Sequence, residues 1–105
     1  MTEQNAPAIV YVSYQGTPQT RFDRDYYVAH HLPLVVRSWQ RHGLESASAF
    51  FPAVEASGTI AICEIRFRDT AAMEAAFAAP ETPAVMADVA RFTDVQPDLA
   101  RAVAL

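Results

Sequence analysis

The chain has no lysine. All eight of its basic residues are arginines, scattered among twelve acidic residues, and the net charge is −4. Nucleic-acid binding needs clustered positive charge, so that class is excluded, and anionic membrane surfaces are disfavoured for the same reason. A single cysteine, Cys63, excludes a disulfide framework. Three glycines leave no glycine-rich phosphate loop, so no nucleotide, flavin or other cofactor is expected. No CxxC or HExxH spacing occurs, so no metal is expected either. No apolar run approaches the ~20 residues that cross a bilayer. The opening MTEQNAP is polar and too short for a secretory signal, which makes the cytoplasm the expected location.

What is present describes a globular chain, 51% hydrophobic and 19% charged, read as one domain over residues 1–105. Residues 8–15, AIVYVSYQ, are β-branched and aromatic and predict a strand ended by Gly16, Thr17 and Pro18. Thr20 or Asp23 caps a helix that runs to about His42 and stops at Gly43. Residues 44–52 and 59–68 predict a hairpin around the turn EASGT. Asp69 or Thr70 caps a second helix through Ala79, broken by Pro80, and Thr82-Pro83 starts a short third one. The loop FTDVQP follows. The tail DLARAVAL fits a helix by propensity and a strand by alternation.

If the tail is a strand, the order is that of a ferredoxin-like βαββαβ fold, an α+β class with both long helices on one sheet face. In residues 59–68, Ala61, Cys63, Ile65 and Phe67 then suit the helix-covered side, which makes Cys63 a core residue. Ile60, Ile62, Glu64, Arg66 and Arg68 point the other way. Apolar groups on both faces predict that a second copy covers the outer one. Glu64 would then line or border an internal cavity, either paired with Arg66 or a partner's arginine, or acting as an acid or base.

The stretch FDRDYYVAHHLPL, residues 22–34, sets two tyrosines and two histidines within six positions. At ~100° per residue, Val28, Ala29, Leu32, Val35, Val36 and Trp39 share one wide face. His30 lies opposite it, near Tyr26 and Arg37. His31 lies on the flank, with Tyr27 four residues before it and Leu34 three after it, where a helix meets a cleft. Pro33 removes the hydrogen bond to the Ala29 carbonyl, so the helix is expected to kink, or to end near His31 and restart. Asp94 and Gln96 in FTDVQP can reach the cleft near His31, although Asp94 also suits a turn.

FDRDYYVAHHLPLV resembles the signature of the EthD family, small proteins linked to bacterial ether degradation, and FTDVQP resembles that family's second characteristic segment. The resemblance implies a ferredoxin-like subunit that dimerises into an α/β barrel, with DLARAVAL as its fourth strand. It places His31, not His30, at the recurring histidine of the HxPL pattern. Two functions follow from it. One is a cofactor-free enzyme of cyclase, dehydratase, isomerase or monooxygenase type, with His31 moving a proton and Tyr27 holding an oxyanion. Leu34, Glu64 and Asp94 would help to bind a small apolar oxygenated compound. The alternative is a non-catalytic protein that holds such a compound for a monooxygenase in ether or aromatic breakdown.

Overall fold

A computed structural model describes residues 6–103 of the chain. Four strands form one antiparallel sheet in the order β2-β3-β1-β4, where β1 is Ala8–Gly16, β2 Leu44–Phe50, β3 Gly58–Phe67 and β4 Asp98–Ala102. Three helices connect them: α1 (residues 24–42), α2 (Thr70–Phe77) and α3 (Thr82–Asp88, continued by a 3₁₀ turn, Val89–Arg91). The element order is that of the ferredoxin-like fold. The tail is a strand over Asp98–Ala102; residues 104 and 105 lie outside the described chain.

Local chemistry sets most of the boundaries. The Asp23 side chain accepts the Tyr26 N–H at 3.0 Å and starts α1, and Asp69 accepts the Ala72 N–H at 2.7 Å and starts α2. Gly43 ends α1 with φ 102°, a left-handed conformation that glycine adopts freely, and a Cβ there would stand 2.6 Å from that of Ala72.

The middle of α1 does not end near His31 and restart, one of the two outcomes expected at Pro33. Residues Tyr27–His31 form one π-helical turn, in which the Leu32 N–H donates to the Tyr27 carbonyl five residues back. By the end of the helix the Gln40 N–H donates to Val36, four residues back. Pro33, which has no N–H, falls where the spacing contracts, so the helix continues around it without a break.

The wide turn also moves the buried face. Tyr27, His31, Val35, Ser38 and Trp39 are buried, whereas Val28 is 51% and Val36 36% exposed. The face expected from Val28, Ala29 and Val36 is therefore corrected. A uniform 100° step places Tyr27 and His31 on the flank; the extra residue of the π turn brings both inward.

β3 needs one correction of the same kind. Ala61, Cys63, Ile65 and Phe67 are buried on the helix side as expected, but Ile60 joins them. The register shifts between Tyr14 and Gln15, so Ile60 is the extra residue of a bulge and packs with Tyr14, Tyr27, Ala61 and Phe92. On the outer face Glu64 bonds the Tyr11 hydroxyl at 2.7 Å, not Arg66.

Candidate functional site

A cavity of about 40 Å³ lies between the helices and the inner sheet face. Strand alternation contributes Val12 and Tyr14 from β1 and Cys63 and Ile65 from β3; the π turn contributes Tyr27 and His31. Val85, Met86 and Val89 come from α3 and the turn after it, and Pro97 and Leu99 from the loop and β4. Apart from His31, no side chain lining the cavity is ionisable near neutrality.

His31 is 5% exposed and stacks on Tyr27, with ring centroids 5.5 Å apart and planes at 22°. Its other neighbour is Phe92, at 4.7 Å between centroids. Its Nδ1 lies 2.9 Å from Oδ2 of Asp88, and Oδ1 of Asp88 accepts the Tyr26 hydroxyl at 2.7 Å. Burial lowers the pKa of His31 below its ordinary value, and the bond to Asp88 offsets this only in part. Burial also raises the Asp88 carboxyl, but hydrogen bonds from Tyr26 and His31 and the charge of His31 outweigh it, so the group sits below the usual carboxylate range.

These directions define one protonation state near pH 7: an ionised Asp88 beside a neutral His31. An ionised carboxylate only accepts hydrogen bonds, so the imidazole proton is assigned to Nδ1. Nε2 then carries a lone pair, and it has no hydrogen-bond partner among the described residues. This is the arrangement in which a carboxylate orients a histidine as a general base.

Tyr27 is 1% exposed, and burial pushes its hydroxyl well above the ordinary tyrosine range beside Cys63, so it stays a neutral donor. The same cause raises Tyr14 and the Cys63 thiol, which disfavours a thiolate there.

Tyr27 and His31 therefore share one cavity. Three other expected residues do not reach it. Leu34 is half-buried and packs against the core beside the cavity. Glu64 lies on the opposite sheet face, as its alternation with Cys63 and Ile65 predicts, where the cavity expected for it is one that a second copy would close. Asp94 is exposed and pairs with Arg21 at 2.9 Å; with Gln96 it lines an adjoining cleft. His30 is exposed against Tyr26. Among the described residues no three of His, Cys, Asp and Glu are grouped to hold a metal ion, and no helix is long and apolar enough to cross a membrane.

Sequence reasoning missed Asp88 and read Tyr26 as part of a solvated face. Asp88 carries one faint signal: a carboxylate at the last position of a helix opposes the helix dipole, which suggests another use for it.

Comparison with known proteins agrees with this architecture. The chain superposes on an EthD-like protein of Ralstonia eutropha JMP134 with TM-score 0.81 at 21% identity, covering 93% of this chain and 91% of that one. An ethyl tert-butyl ether degradation (EthD) family protein of Bacillus halodurans C-125 gives 0.66 at 17% identity, covering 91% and 99%. A putative antibiotic biosynthesis monooxygenase of Chloroflexus aurantiacus J-10-fl gives 0.64 at 13%, covering 95% and 94%. At these identities the likeness is one of fold. A search of curated proteins finds no match. The EthD domain pattern matches residues 17–96, a span that runs from the turn before α1 to the loop before β4 and takes in Tyr27, His31 and Asp88. This chain is a member of the EthD family.

Proposed function

We propose that the protein is a cofactor-independent acid–base enzyme acting on a small, neutral, mostly apolar oxygenated compound. The observation that carries this reading is the Asp88–His31 pair at the edge of a cavity otherwise free of charge. His31 Nε2 takes a proton from an acidified C–H or O–H of the substrate. The electron pair left behind is delocalised onto a substrate oxygen, to which the Tyr27 hydroxyl donates a hydrogen bond. The imidazolium formed is stabilised by Asp88. It returns the proton at a second substrate atom, which gives isomerisation; to a departing hydroxyl, which gives dehydration; or to the alkoxide left when the freed carbon attacks a carbonyl carbon of the same compound, which gives ring closure.

Nothing cationic lines the cavity, which supports neutral over anionic compounds. The homodimer belongs to the same proposal: a second copy covers the outer sheet face and leaves the cavities beneath the helices. Holding a compound for a monooxygenase, with no proton transfer, is the competing reading.

The test is a panel of neutral phenols, ketones and ethers, scored by thermal stabilisation and by turnover of the compounds that bind. His31→Gln is expected to abolish turnover while costing about 1–2 kcal/mol of stability, as for a lost hydrogen bond. Binding without turnover in the unaltered protein selects the accessory role. An unchanged ligand response and stability in His31→Gln moves the site elsewhere.

A further inference from the structure

We propose that Leu99 and Met86 form the mouth of the His31 cavity, and that its ligand is a neutral compound with a compact oxygen-bearing head and an apolar tail lying along β4. The ligand class rests on the function proposed above; the mouth rests on geometry alone. Among the described residues that line the cavity, these two alone are exposed, Leu99 by 50% and Met86 by 46%; the rest are buried or half-buried. Access to His31 therefore runs between them, through the gap between β4 and α3.

The cavity itself has room for only about three waters, since one needs roughly 10–15 Å³. Larger clefts adjoin it on both sides of the mouth. One, of about 220 Å³, shares Phe77 and Leu99 with the cavity and continues over Val10, Met73 and the exposed Arg101 along β4. The other, of about 370 Å³, shares Met86, Val89 and Pro97 and carries Asp94 and Gln96. A ligand that presents an acidic hydrogen to His31 thus fits only its head inside. Its remainder lies outside, and the mostly apolar cleft along β4, where exposed Arg101 keeps its guanidinium in water, suits a hydrocarbon tail better than the cleft bearing a carboxylate. Leu99 projects from an edge strand paired only with β1, and Met86 is unbranched, so both adjust to what passes them. Their size decides which compounds reach Nε2.

The experiment uses diethylpyrocarbonate, which acylates a neutral imidazole nitrogen, with modification of His31 and His30 followed separately by peptide mass spectrometry. Leu99→Ala and Met86→Ala are expected to speed the reaction at His31 several-fold. Leu99→Trp and Met86→Trp should slow it several-fold, and the rate at exposed His30 should not change in any of them. Because both positions are half open to solvent, these variants should fold, and circular dichroism checks that they do. In the unaltered protein 4-butylphenol should protect His31 at lower concentration than phenol does, and Leu99→Trp should erase that difference. Rates at His31 that are the same in all four variants would overturn the mouth. Equal protection by the two phenols would overturn the tail. Protection by neither phenol would sink the ligand class, here and in the proposed function, while the reagent rates would still decide the mouth.

Discussion

Nδ1 of His31 and Oδ2 of Asp88 stand 2.9 Å apart although 57 residues separate them in the chain. The contact ties the π turn of α1 to the end of α3. It also determines which nitrogen of the imidazole is basic, and so the direction in which a proton can move.

The first consequence is pH dependence. The folded pKa of His31 lies below its unfolded value, so between the two the unfolded chain binds the extra proton. Its contribution to stability is full above about pH 6.5, the ordinary histidine value, and is lost as pH falls through the lower folded pKa. Asp88, also lowered, adds a second loss further into the acid range, below the usual carboxylate pKa. Thermal melts from pH 8 to 4 should show the first decline, and His31→Gln should flatten it. Turnover should fall as pH drops through the folded pKa of His31, at the lower end of that window, because it needs neutral His31. Asp88→Asn removes the influence that raises the His31 pKa, so the acid limb should move to lower pH. A limb that moves upward would contradict the ionised state assigned to Asp88.

Tyr27→Phe tests the oxyanion donor. The ring and its stack on His31 are kept, and only the hydroxyl beside Cys63 is lost. Stability should fall by about 1 kcal/mol. Turnover should fall by roughly 10²-fold or more, in line with the loss of a single oxyanion donor. A fall in apparent ligand affinity with turnover per bound ligand unchanged would assign Tyr27 to binding alone.

Pro33→Ala tests the wide turn. Pro33 is exposed, so the substitution empties no core. It supplies an N–H that can bond four residues back and favours ordinary α spacing over the π turn. The expected result is stability equal to or above that of the unaltered protein, with His31 turned from Asp88 and its reaction with diethylpyrocarbonate faster. An unchanged rate at His31 would show that packing on the sheet holds the turn without help from Pro33.

The dimer is tested by light scattering on a sizing column. Outside the sheet, Phe50 is 55% exposed and pairs with half-buried Ile62, next to the Tyr11–Glu64 bond. A mass near twice 11.5 kDa is expected, with Phe50→Glu shifting the protein toward the monomer. A monomer at micromolar concentration would remove the barrel from the proposal.

Much of the scaffold is legible in the residues because it depends on local chemistry. Asp23 and Asp69, each one of two candidate caps, Gly43 as a stop, the strand read over 8–15 and the inward set Ala61, Cys63, Ile65 and Phe67 all follow from side chains acting within a few residues of themselves. The separation of His31 from His30 is legible too, because adjacent positions on a helix cannot face the same way.

What the residues leave open depends on groups that meet only after folding. A one-residue shift, in the π turn or at the Ile60 bulge, rotates side chains without leaving a mark in a periodic pattern. Asp94 carries chemistry suited to a site, yet Arg21 draws it to the surface. Asp88 has no local partner to announce it; it becomes part of the candidate site because the packing of α3 against α1 brings its carboxylate to Nδ1 of His31. Sequence alone determined most of the elements and their order, and left the tail DLARAVAL open between helix and strand. Tertiary packing decided which side chains share the cavity, because contacts across tens of residues depend on how those elements dock and not on the spacing within them.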